Sequence, residues 1–296
     1  MKPNPLNCLV RALLNLTCLV ASHSTWAQSL PPTAVWLADI KDGRLGKPQL
    51  ISPTTGYHNQ PRFSEDGERL FFTSEQEGGQ TDIVEFDLIS GETRLLTSSA
   101  ESEYSPIPIP GDHALSVVRV EPNQRQRLWR LDLQTLELTV LLSSVEPVGY
   151  YDWIDSDNLA LFILGEPVSL HLATLSSGRS HLRFEHIGRT LRGGVKHGEL
   201  FFIDKNTHPW QISAMDLDTG IVSKVRLLFP GTEDFWLSTD GSLWMGSGAK
   251  IYRAVSTDRL WRLVEDLSEY GLVEISRITL NPANQSLAIV SAFGQE

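Results

Sequence analysis

The sequence predicts an all-β chain folded as a six-bladed β-propeller with four antiparallel strands per blade, and three observations carry that expectation. From Ala34 onward the apolar residues almost never recur at helical spacing; short β-branched and aromatic runs are cut by Gly, Asp, Asn and Pro instead. One order of strands and turns then repeats, with first-turn residues at Gly67, Asp112, Asp157, Gly198, Gly241 and Asn284, spaced 41 to 45 residues apart. Finally, the two ends complement each other: only two strands fit after residue 270, and two more lie between Ala34 and Ser52. Joining them completes one blade from both termini and leaves no open sheet edge in the ring.

The elements follow in order. Lys2 precedes an apolar run from Leu9 to Val20 and a small, polar stretch ending at Ala27, the layout of a secretory signal peptide over residues 1–27. The apolar run is shorter than the ~20 residues a spanning helix requires, so no membrane span is expected once that segment is removed. The remaining residues, 28–296, form the propeller. Ala34 to Ile40 reads as a strand, Asp42-Gly43 as its turn and Pro48 to Ser52 as the next strand, all belonging to the last blade. Second strands are expected at Arg69–Ser74, Ala114–Val120, Leu159–Leu164, Glu199–Asp204, Ser242–Gly246 and Ser286–Ala292. Third and fourth strands follow each, as in Arg127–Leu133 with Leu136–Leu142 and in Trp210–Leu217 with Ile221–Leu228. Trp129, Trp210, Trp244 and Trp261 sit where aromatics fill the wedge between blades, while Phe235-Trp236 is placed to border the channel.

One blade is especially well marked. Pro61-Arg-Phe-Ser-Glu-Asp-Gly67, Leu70-Phe-Phe-Thr-Ser74, Asp82-Ile-Val-Glu-Phe-Asp87 and Gly91-Glu-Thr-Arg-Leu-Leu-Thr97 resemble the WD-like repeat of TolB-like six-bladed propellers. The other blades keep mainly the turn, as in Ser238-Thr-Asp-Gly241 and Asn281-Pro-Ala-Asn284. The resemblance implies a propeller that works through protein contacts, without the family's preceding α/β domain, for which no room exists between Ala27 and Ala34.

Composition and charge narrow the function. Acidic residues outnumber basic ones, 36 to 25, for a net charge of −11, which disfavours a nucleic-acid backbone or an anionic membrane surface. Cys8 and Cys18 both fall in the leader, so an exported chain has no disulfide, thiol nucleophile or thiolate metal site. Export implies the periplasm if the source is Gram-negative. No Gly-x-Ser-x-Gly elbow, phosphate loop, dinucleotide fingerprint or His-Glu-x-x-His occurs. Ser247-Gly-Ala-Lys250 has Ser-x-x-Lys spacing, but in a hairpin, where one helical turn cannot bring the amine against the hydroxyl. The histidines show no tight ligand spacing, and acid pairs such as Asp155/Asp157 fall in turns, where they accept local backbone N–H groups.

Geometry favours a site at the start of each innermost strand, because these segments converge on the central channel. They supply His58 and Asn59, Glu103 and Tyr104, Tyr150 and Asp152, Arg192, Asp234, and Glu274 with Arg277. Two functions fit. The first is an exported, non-catalytic scaffold that binds a protein or peptide through its rim and channel mouth, with no cofactor. The alternative is a calcium-dependent channel enzyme, such as a lactonase, with Asn59, Glu103, Asp152 and Asp234 as oxygen ligands from four blades.

Overall fold

A computed structural model describes residues 30–194, 198–255, 258 and 260–293. The expected leader, its two cysteines and His197 lie outside the described residues. Six antiparallel sheets follow one another along the chain. Blade 1 comprises His58–Phe63, Arg69–Glu75, Thr81–Asp87 and Thr93–Leu95, from the channel outward. Blade 2 comprises Ser102–Pro108, Ala114–Val120, Gln126–Asp132 and Leu138–Val140. Blades 3 and 4 begin on the inner strands Val148–Trp153 and Ile187–Gly193, and blade 5 on the short Trp236–Leu237. The six-bladed, four-stranded architecture read from the repeat is therefore the observed one.

Blade 6 closes the ring from both termini. Its inner strand Leu272–Leu280 pairs with Ser286–Phe293, which pairs with the N-terminal strand Ala34–Lys41 in a register running from Ala34 opposite Ser291 to Asp39 opposite Ser286. The outermost strand expected over Pro48 to Ser52 is present as the shorter Gln49–Leu50, paired with Trp36 and Leu37, and Arg44–Leu45 additionally folds back on Ile40 and Lys41. Closure is held by apolar burial. Val35, Ala288 and Val290 of blade 6 pack against Phe63, Leu70, Phe72 and Val84 of blade 1, and a fully buried side chain of that kind contributes roughly 1.5–3 kcal/mol.

The turns behave as their residue types demand. The Ser64 hydroxyl donates to Asp66 and accepts from the Arg69 amide at 3.0 Å, while Asp66 accepts the Glu68 amide and Gly67 takes φ of 75°. Blade 5 repeats this with Ser238, Asp240 and Gly241, and blade 6 substitutes Asn281, whose side-chain oxygen accepts the Gln285 amide at 2.7 Å. A short polar side chain thus satisfies backbone donors that a two-strand turn leaves open.

The inner strands carry a feature that alternation alone does not announce. Their pairing with the second strand slips between Asn59 and Arg62, Tyr104 and Ile107, Val148 and Tyr150, Ile187 and Leu191, and Val273 and Arg277. Three of these bulges contain a non-glycine residue at positive φ: Gln60, Ser105 and Glu274. In blade 4 the slip turns Arg189 and Arg192, which would face opposite sides of a regular strand, toward the same channel.

Candidate functional site: a cationic central channel

The bulges shape a cavity of about 40 Å³ that opens to solvent on the propeller axis, walled by the inner strands of blades 1, 2, 3, 4 and 6 and by Asp234 of blade 5. Its charged lining is Arg62 from blade 1, Arg189 and Arg192 from blade 4, Asp234 ahead of the short strand of blade 5 and Arg277 from blade 6. Arg189 and Arg192 are three apart, and only the slip between Ile187 and Leu191 brings both to one wall.

The bulges are bolted together from blade to blade. The Gln60 side-chain carbonyl accepts from the Ser105 amide at 3.0 Å and from the Thr73 hydroxyl at 2.8 Å. Tyr151 in turn donates to the Ser105 carbonyl at 2.9 Å, linking blade 3 to blade 2. On the far side, Asp234 accepts from the Thr190 hydroxyl and the Ile278 amide, both at 2.9 Å, tying blade 5 to blades 4 and 6. The channel wall is consequently rigid where the arginines emerge from it.

Two clusters of charge result. In the lower cluster, Asp152 lies 2.7 Å from the Arg62 guanidinium and 4.0 Å from that of Arg192, across 90 residues of sequence in the first case. Both guanidiniums stack on Trp236, at 4.9 and 4.5 Å from its ring. In the upper cluster, Arg277 stacks on Tyr150 at 4.8 Å, and Arg189 donates to the Ser276 carbonyl at 2.9 Å. Tyr57 closes this end with its phenol held well above the usual range, first by burial. The proton affinity of Arg189 is lowered chiefly by Arg277, and that of Arg192 is lowered to about 10 by burial and then by Arg62. Both remain cations at neutral pH, and both shifts express positive charge crowded away from water.

Of the ten residues expected at the channel mouth, Tyr150, Arg192, Asp234 and Arg277 line the cavity, and Asp152 stands behind it as the partner of Arg62. Tyr104 is partly buried against the core between blades 2 and 3, with its phenol influencing Tyr57. Three others belong to joints between strands and blades. His58 is 1% exposed, with its ring nitrogens on the Ser74 hydroxyl and the Thr55 carbonyl. The Asn59 amide donates to Thr33 and its carbonyl accepts the Gln60 amide. Glu103 is fully buried, with one oxygen 2.8 Å from Ser99 and 3.4 Å from Arg119 and the other unpartnered; burial raises its carboxyl to about 7. Glu274 is exposed beside Arg277 at the upper mouth.

The four oxygen ligands named for calcium are therefore committed elsewhere: two to interblade joints, Asp152 to guanidiniums, and Asp234 to a hydroxyl and a backbone amide. Among the described residues no group of three or more His, Cys, Asp or Glu is placed to hold a metal. Sequence reasoning missed Gln60, Arg62 and Arg189. For blade 4 the signal was present in Arg189-Thr190-Leu191-Arg192, whose two arginines fall on opposite faces of a regular strand; Gln60 and Arg62 lie on one face of a regular strand and were legible from alternation. Trp236 does border the channel, and Phe235 beside it is wholly buried in the core.

No protein-family model matches the chain. Among solved structures, it superposes on a putative TolB from Agrobacterium tumefaciens with a TM-score of 0.68 at 13% identity, covering 88% of this chain and 98% of that one. The fold is that of a TolB-like propeller. TolB from Acinetobacter baumannii gives 0.53 at 12% identity over 90% of this chain and 65% of its own. A gluconolactonase from Xanthomonas campestris gives 0.64 at 12% identity over 89% and 98%. At these identities the TolB-like likeness establishes the architecture, while function rests on the site.

Proposed function

We propose that the protein is an exported, non-catalytic propeller that binds a protein or peptide partner through its rim and channel mouth. The observation that carries this reading is the convergence of Gln60, Tyr150, Arg192, Asp234 and Arg277, from five blades, on one rigid cavity open to solvent. Such a wall, fixed by interblade hydrogen bonds before any ligand arrives, binds without reorganising itself, which favours recognition. Residues 1–27 supply the export signal in this reading. No helix among the described residues is long and apolar enough to cross a membrane.

The calcium-dependent hydrolase reading has less support, because a guanidinium holds one of its two channel carboxylates and backbone and hydroxyl donors hold the other. Affinity capture from envelope extracts of the source organism tests the scaffold reading. A partner should be recovered reproducibly by the wild-type protein and lost on Tyr150→Ala, with retention by Arg130→Ala on the outer part of blade 2. Capture that ignores the mouth substitution, or no reproducible partner, would sink it. Calorimetric titration of calcium into the chelator-treated protein tests the alternative, which one saturable ion per chain, lost on Asp234→Ala, would revive.

A further inference from the structure

The channel is positive inside a strongly negative protein. Four guanidiniums, those of Arg62, Arg189, Arg192 and Arg277, face the two carboxylates of Asp152 and Asp234, whereas the whole chain carries −11. Like charges crowded into a partly desolvated space are unfavourable unless a counter-charge joins them. The wall provides none for the excess, since Glu233 is paired with Lys205 and Glu274 lies out at the exposed mouth.

The donors are also under-used. A guanidinium has five N–H groups. Arg192 uses one nitrogen on the Leu191 carbonyl at 2.7 Å and approaches Asp152 at 4.0 Å; Arg189 uses one on Ser276. The Nε atoms of both are buried with no partner. Three of the four guanidiniums lie over an aromatic ring, Arg62 and Arg192 over Trp236 and Arg277 over Tyr150. A cation held over a ring in this way keeps its place while its unpartnered N–H groups, such as the Nε of Arg192, stay open to a two-oxygen acceptor such as a carboxylate.

Resting on the binding role set out above, we infer that the channel is a receptor for a carboxylate-bearing ligand. One carboxylate is held between Arg189 and Arg277 at the upper cluster, and Arg192 is the nearest further donor for a second. The carboxylates are supplied either by a free small polyacid or by acidic side chains of an inserted peptide, and the two sources share this chemistry. The excess of two positive charges favours a ligand carrying two negative ones.

The test is calorimetric titration of the purified protein with citrate, with a hexaglutamate peptide and with glucose as the uncharged control. Citrate or hexaglutamate should bind saturably at one per chain, and glucose should not. The tighter of the two acids identifies the source. Arg277→Gln and Arg189→Gln should each weaken binding by about tenfold or more. Arg192→Lys, which keeps the charge but loses the fork, should weaken it less; the surface substitution Arg130→Gln should leave it unchanged. If Arg277→Gln fails to fold, protection of the wild-type melting temperature by citrate but not by equimolar sulfate reads the same interaction. Absence of binding by both acids, or equal protection by sulfate and citrate, overturns the inference. Capture of a partner through the mouth that citrate cannot displace would leave the scaffold reading standing and remove the carboxylate receptor.

Discussion

The two clusters of the channel use the same residue types to opposite effect. In the lower cluster Asp152 is spent on cations, holding Arg62 while Trp236 carries the faces of both Arg62 and Arg192. In the upper cluster Asp234 is spent on the fold, accepting from Thr190 and Ile278, and Arg189 and Arg277 repel each other beside it. The charge of a carboxylate acts on every arginine near it, as that of Asp234 does on Arg189 and Arg277, but only lone pairs not already taken can accept a guanidinium N–H directly. The lower cluster is thereby partly neutralised, and the upper one is left with more charge to offer.

The largest expected effect breaks the lower cluster. Asp152→Asn leaves two poorly hydrated guanidiniums facing each other, and loss of about 3 kcal/mol of unfolding free energy is expected from removing one partner of a largely buried ion pair. Denaturant titration checks it, and the loss should shrink as salt is added, because anions screen the exposed cations. Asp234→Asn should lose less, about 1–2 kcal/mol, since an amide oxygen still accepts one of the two hydrogen bonds. That loss should depend on salt less steeply than the loss on Asp152→Asn, because part of it is hydrogen bonding and Asp234 makes no direct guanidinium contact. If the two variants showed equal salt dependence, the distinction between the clusters would fail.

Trp236→Leu sharpens the comparison from the aromatic side. It keeps an apolar side chain and removes the ring on which two guanidiniums rest, so a loss of about 1 kcal/mol is expected from the two stacking contacts. Phe162, which meets Tyr150 edge-on at 5.6 Å, supports the corresponding platform of the upper cluster. Phe162→Leu should loosen that platform, lowering ligand affinity by several-fold with a smaller loss of stability than Trp236→Leu.

Glu103, which the structure puts between blades rather than in the channel, serves as the outside control and shows a slope rather than a fixed loss. Its carboxyl is raised in the fold from the ordinary 4.5 to about 7, by burial first. The folded protein therefore binds more protons than the unfolded chain between those values, and this residue's contribution to stability is full below about 4.5 and is lost as pH rises through about 7. Glu103→Gln should remove that fall, so that the variant gains on the wild type across this interval in urea titrations at pH 5 and pH 8. Citrate affinity should not change.

How much of this was legible differs by level. The propeller could be read because each turn is written locally: Ser64, Asp66 and Gly67 satisfy and permit the backbone of one hairpin with no help from elsewhere. The terminal closure was legible for a related reason, since a count of strands left two missing at one end and two spare at the other. The site was half legible. Convergence of inner strands is a property of the fold, so Tyr150, Arg192, Asp234 and Arg277 were found, but taking the start of each inner strand also brought in His58, Asn59 and Glu103. The bulges carry the channel one or more residues past those positions, to Gln60, Arg62 and Ser105.

The sequence alone determined the strand order, the six blades and the turns, because each depends on residues within about forty positions of one another and on the period of the apolar pattern. Tertiary structure alone decided the sign of the channel. An acidic chain acquires a cationic axis only when the inner strands bring arginines from blades 1, 4 and 6 to one channel and Asp152 to Arg62 from 90 residues away. Electrostatic environment is set by distance and desolvation, and neither exists until the ring has closed.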